Sequence, residues 1–94
     1  MNKQSTIIFV DDDPKAGELM LRFSEAASYH CEVFQDSEQA LEFFKNNGAD
    51  LVISDLRMPK LTGIELLREI RLVDKQVPFI IVTGYADVES AIEA

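Results

Sequence analysis

Asp11, Asp12 and Asp13 follow the apolar run Ile7-Ile8-Phe9-Val10, Asp55 follows Leu51-Val52-Ile53-Ser54, and Thr83 follows Phe79-Ile80-Ile81-Val82. Acidic groups at the ends of apolar runs are a costly arrangement if the fold brings them together. Two carboxylates about 5 Å apart repel by roughly 3 kcal/mol at an effective dielectric of 20. A cluster of Asp11, Asp12 and Asp55 therefore calls for a cation, or for a proton on one carboxyl. Oxygen ligands at a partly solvated edge suit magnesium, which takes few protein ligands and keeps several waters. Thr83 would add a hydroxyl at that edge, and Gly84 would leave space beside it. A divalent cation, a free carboxylate and a hydroxyl donor together suit phosphoryl transfer, where catalysis is mostly charge neutralisation and positioning.

The elements between these residues give them a common edge. Pro14 suits the first position of a helix and Asp13 its cap. Ala16, Leu19, Met20, Phe23 and Ala27 then recur at helical spacing and predict the buried face of that helix. Cys31 to Phe34 reads as a second strand. Asp36-Ser37-Glu38-Gln39 opens a second helix, which Asn47-Gly48 ends. The third strand is Leu51 to Ile53, closed by Ser54-Asp55. Thr62-Gly63-Ile64-Glu65 is a capping box that starts a helix through Ile64, Leu67 and Ile70. Pro78 precedes the fourth strand, Phe79 to Val82, and Asp87 reads as the cap of a fourth helix. Strands apolar on both faces and separated by amphipathic helices predict an α/β fold with a parallel sheet covered on both sides. In such folds the working groups gather where strands end and helices begin.

Composition narrows the function classes. The 94 residues, 47% hydrophobic, fit one small domain. Nine basic against 17 acidic side chains give a net charge of −8. Such a surface repels a phosphate backbone, so direct nucleic-acid binding is not expected. No apolar run approaches the roughly 20 residues of a membrane helix. The start of the chain does not read as a secretion leader. The single cysteine, Cys31, cannot form an internal disulfide, and a reducing, cytoplasmic setting is the expectation. One histidine and no CxxC or HExxH leave zinc without ligands.

Three segments in register carry a family resemblance. Ile8-Phe9-Val10-Asp11-Asp12-Asp13-Pro14, Val52-Ile53-Ser54-Asp55-Leu56-Arg57-Met58-Pro59 and Ile81-Val82-Thr83-Gly84 together resemble the receiver domain of two-component response regulators. Thr62-Gly63 stands where that family usually has Asp-Gly. The resemblance covers essentially the whole chain, residues 1–94, as one domain. It implies a flavodoxin-like doubly wound sheet in the order 2-1-3-4.

It also implies roles. Asp55 would be the phosphoacceptor, taking a phosphoryl group from a sensor histidine kinase or a phosphotransfer protein. Asp12 and Asp55 would ligate Mg2+ directly, with the backbone carbonyl of Arg57 as a third ligand and Asp11 acting through a bound water. Thr83 would donate to the phosphoryl oxygens, and Gly84 and Tyr85 would flank the group. Phosphorylation would shift conformation or oligomeric state to control an output, and the chain's last residues resemble receivers that head transcriptional regulators. Such a domain is a switch, not a turnover enzyme.

The family's next strand carries a lysine that pairs with the phosphoryl group, followed by a last helix. No lysine here fits that role, so the chain is expected to be C-terminally incomplete, without the fifth strand and fifth helix. Phe79 to Val82 would then be an apolar sheet edge, open to pairing with a second copy. Two other functions fit part of the pattern. Asp11 and Asp13 match the Asp-x-Asp of haloacid-dehalogenase-type phosphatases, but Asp55 with Met58-Pro59 has no place there. A non-phosphorylated scaffold or dimerisation fragment would keep the acid cluster and lose the switch.

Overall fold

The computed structural model describes residues 4–83. The elements run β1 (Thr6–Val10), α1 (Pro14–Ala26), β2 (His30–Phe34), α2 (Ser37–Asn47), β3 (Leu51–Asp55), α3 (Gly63–Val73) and β4 (Phe79–Val82). The strands form one sheet, every pair parallel as the apolar pattern predicts, in the order β2-β1-β3-β4 that the resemblance implies. The fourth helix expected from Asp87, and the residues Gly84 and Tyr85, lie outside the described residues.

Local chemistry sets the helix boundaries. Asp13 caps α1 by accepting from the Lys15 N–H, and Pro14 occupies the first turn. Asp36 caps α2 by accepting from the Glu38 and Gln39 N–H groups. Gly48 ends that helix at φ +69°, a conformation that costs glycine little. Thr62 and Glu65 form the reciprocal capping box of α3.

Parallel strands alternate their side chains between two faces, and the two faces differ. On one, Ile8, Val10 and Val52 are buried against Ala40, Leu41 and Phe44 of α2, Leu66 and Ile70 of α3, and Met58 and Val77. Each such burial contributes roughly 1.5–3 kcal/mol, so this layer carries most of the stability. On the other face α1 lies over β1 and β2, covering Ile7 and Cys31. Ile80 and Val82 on β4 stay about half exposed, and β4 is the sheet edge among the described residues.

Two helix faces differ from the expectation. In α1 the buried residues are Gly17 and Ser24, while Leu19 and Phe23 are 66% and 61% exposed. The reason is steric. A Cβ on Gly17 would meet Val33 Cγ1 at 2.6 Å, so the helix seats on β2 through its smallest residues. Its apolar stripe is thereby turned sideways, and Met20 and Phe23 line a hollow of about 380 Å³ with Ile7, Leu51 and Ile53. In α3 the buried positions are Gly63, Leu66 and Ile70, and Ile64 faces outward.

Candidate functional site

β1 and β3 are neighbours, with Val10 opposite Ser54. Asp11 and Asp12 therefore leave β1 at the same level at which Asp55 ends β3. Carboxylate oxygens of Asp11, Asp12 and Asp55 lie within 4.8 Å of one another, the convergence expected from the sequence. Asp13 does not join them, because its side chain turns back onto its own helix.

Asp11 and Asp55 are held by their surroundings. The Asp11 N–H donates to the Phe34 carbonyl at 3.0 Å, tying the residue to β2. Its Oδ1 accepts from the Asp13 N–H at 2.9 Å. The Asp55 Oδ1 accepts from the Leu56 N–H at 2.8 Å. Beneath it the buried Ser54 hydroxyl donates to the Asp55 carbonyl at 2.9 Å. Gly63 is required by closeness: a Cβ there would stand 2.5 Å from the Asp55 carbonyl oxygen. The first residue of α3 thus abuts the end of β3, and its N–H donates to the Leu56 carbonyl at 2.8 Å.

Electrostatics follow the geometry. The Asp11 carboxyl titrates above the ordinary aspartate range. Partial burial is the main cause, and the charges of Asp55, Asp12 and Asp13 add to it, while the Asp13 N–H works the other way. An all-oxygen donor set with clustered negative charge at a half-open edge fits a hard divalent cation of the magnesium class, not a soft one.

The other expected site residues take these places. Thr83 follows Val82, which is registered opposite Asp55, so it stands at the same edge one strand over, exposed. Arg57 lies two residues past Asp55 on the loop 56–62, with an exposed side chain. Met58, on the same loop, is buried in the core.

The loop has an anchor that sequence reading did not find. The Ser37 hydroxyl, in a residue 1% exposed, donates to the Pro59 carbonyl at 3.3 Å and accepts from the Leu61 N–H at 3.0 Å. Lys60 closes the same junction. Its Nζ donates to Asp36 Oδ2 at 2.7 Å, and its backbone sits at φ +68°. Sequence holds no signal for a serine paired to a loop over 20 residues away. For Gly63 the signal was present, as the glycine after Thr62 in the family's Asp-Gly position.

Comparison with known proteins agrees with this geometry. Residues 7–94 match the family model described as the response regulator receiver domain. The C4-dicarboxylate transport transcriptional regulatory protein DctD of Rhizobium meliloti is 33% identical over 94 residues, which is all of this chain and 20% of that protein. The transcriptional regulatory protein ZraR of Klebsiella oxytoca is 34% identical over 92 residues, 98% of this chain and 21% of that one. The chain thus spans about a fifth of the length of these relatives. Among solved structures, a response regulator receiver domain protein from Clostridium thermocellum superposes with a TM-score of 0.85 at 31% identity, over 95% of this chain and 72% of its own. The receiver domain of a sensor histidine kinase from Pseudomonas aeruginosa, solved with a magnesium ion in its active-site cleft, gives 0.84 at 27% identity, over 98% and 80%. With the fold, strand order and acid cluster in agreement, the chain belongs to the receiver domains of two-component response regulators, the domains that accept phosphoryl groups.

Proposed function

We propose that Asp55 is the phosphoacceptor, working in a magnesium site that it shares with Asp12 and Asp11. The convergence of the three carboxylates within 4.8 Å carries this reading. Asp12 and Asp55 would hold the cation with the Arg57 carbonyl, and Asp11 would hold it through a water. Bound there, the cation supplies neutralisation of charge on the carboxylates and on the incoming phosphoryl oxygens.

The protein's own groups do the rest. With Oδ1 engaged by the Leu56 N–H, Oδ2 of Asp55, which has no donor among the described residues, is the oxygen for attack. It forms a bond to phosphorus as the phosphorus–nitrogen bond to the donor's histidine breaks, and that electron pair leaves with the imidazole. The Leu56 N–H holds Asp55 Oδ1 and the Gly63 N–H holds the Leu56 carbonyl, so the carboxylate is positioned before the donor arrives. Thr83, at the same edge, donates its hydroxyl to the phosphoryl oxygens and moves the β4 end toward Asp55. Gly84 and Tyr85 flank the group.

The donor is a sensor histidine kinase or a phosphotransfer protein, and the setting is cytoplasmic. The relatives named as transcriptional regulators favour a transcriptional output. Half-exposed Ile80 and Val82 on β4, the sheet edge among the described residues, favour a second copy of the chain as a partner. Among the described residues no helix is long and apolar enough to cross a membrane.

Intact-mass spectrometry after incubation with a small acyl phosphate tests the assignment. One phosphoryl adduct that needs magnesium and disappears in Asp55→Asn is the expected result. An adduct that survives in Asp55→Asn overturns it. Turnover of a phosphomonoester without a stable adduct would favour the phosphatase reading, and magnesium binding without any adduct the scaffold.

A further inference from the structure

We infer that Ser37, at the start of α2, is a positioning residue for the cation site, acting through the loop that carries Arg57. The inference rests on the proposed magnesium site and assigns it a support outside the acid cluster. Loop 56–62 leaves β3 at Asp55 and enters α3 at Gly63. Its two ends are fixed by the Leu56 and Gly63 backbone bonds and by the Thr62 cap of α3. Its middle, residues 59–61, has no backbone bond to a strand or helix among the described residues. There the Ser37 hydroxyl takes both roles open to it, donating to the Pro59 carbonyl and accepting from the Leu61 N–H. These groups flank Lys60, whose left-handed backbone turns the chain between them. The Lys60–Asp36 pair closes the same junction from outside.

Asp36 and Ser37 thus form one unit, in which Asp36 caps α2 and Ser37 fastens the loop. A carbonyl at Arg57 can serve a cation only if the loop holds it at a fixed distance from Asp12 and Asp55. Groups that orient ligands from outside the coordination shell typically change metal affinity tenfold or more when removed. Ser37 does not touch the reacting atoms, so its loss changes how much magnesium is needed and not how fast the loaded site reacts.

The test measures magnesium binding to the 94-residue chain by calorimetric titration, and acyl-phosphate labelling against magnesium concentration. Ser37→Ala is expected to raise the half-saturating magnesium about tenfold while the labelling rate at saturating magnesium stays within twofold of wild type. Ser24→Ala is the control for general loosening. It removes an equally buried hydroxyl, bonded to the Met20 and Leu21 carbonyls on α1, and should leave the magnesium requirement unchanged. An unchanged requirement in Ser37→Ala, or an equal rise in Ser24→Ala, overturns the inference. If Ser37→Ala does not fold, Lys60→Met decides. It breaks only the exposed pair and should raise the requirement roughly two- to threefold, and no rise overturns the inference. Wild-type protein that binds no magnesium would overturn the site reading itself and this inference with it.

Discussion

Asp11 and Asp36 occupy the same kind of position and have opposite electrostatics. Each is an aspartate just past the end of a parallel strand, at the same edge of one sheet. Asp36 accepts from Lys60 Nζ and from two backbone N–H groups of α2, and its carboxyl titrates below the ordinary range, chiefly because of Lys60. Asp11 is partly buried beside Asp55 and Asp12, and it titrates above that range. One junction satisfies its charge from within the chain. The other accumulates charge that the proposed cation would satisfy. On that proposal, the difference separates a structural acid from a functional one more sharply than residue type or place in the fold.

The junction of β3 and α3 is the place where this contrast breaks most severely. Gly63→Ala puts a Cβ 2.5 Å from the Asp55 carbonyl oxygen, so α3 or the acid must move. Overpacking of this kind costs about 1–3 kcal/mol. Urea unfolding should show that loss, and acyl-phosphate labelling should fall with it, while the Asp36 pair persists.

Removing each acid in turn should move stability in opposite directions. Asp36→Ala takes away the α2 cap and the Lys60 partner and lowers the urea midpoint. Asp11→Asn keeps an oxygen for the Asp13 N–H, relieves the cluster, and raises the midpoint at pH 7 in the presence of a chelator. Millimolar magnesium should reverse that second effect, because it stabilises the wild-type site by mass action and the variant less.

The pH dependence carries the same signature with opposite signs. Asp11 binds its proton more readily in the folded chain than in the unfolded one. Its contribution to stability is present below the ordinary value of 3.8 and lost as pH rises through the raised folded value. Asp36 holds its proton less readily when folded, so its contribution is present above 3.8 and lost as pH falls through the lowered value. Stability curves of Asp11→Asn and Asp36→Asn, each minus wild type, should therefore slope in opposite directions on the acid side. The smallest effect should be that of salt. The Lys60–Asp36 pair is solvent-exposed, so 1 M NaCl should erase most of the difference between wild type and Lys60→Met.

Much of this was legible in the sequence, and the exceptions share a cause. The strands follow from apolar runs that stop at acids, while their order, and with it the meeting of Asp11, Asp12 and Asp55, follows from the family resemblance. The caps at Asp13, Asp36 and Thr62 follow from local hydrogen bonding within a few residues. Periodicity found the apolar stripe of α1 but not its direction. Leu19 and Phe23 turn outward because Gly17 and Ser24 let the helix lie close on β2, and closeness is a property of the pair of elements. Lys60 and Ser37 were missed for the same reason, since their partners lie across a loop and not along a helix. Signals within one element read directly, whereas those that need two elements in contact do not.

The central claim is that the Asp11–Asp12–Asp55 junction handles the cation and the phosphoryl group while the Asp36 junction only holds the fold. The most direct measurement labels wild type, Asp55→Asn and Asp36→Asn side by side with an acyl phosphate, with and without magnesium, and reads intact mass. The account predicts one magnesium-dependent adduct in wild type and in Asp36→Asn, and none in Asp55→Asn. An adduct in Asp55→Asn that Asp36→Asn loses would contradict it.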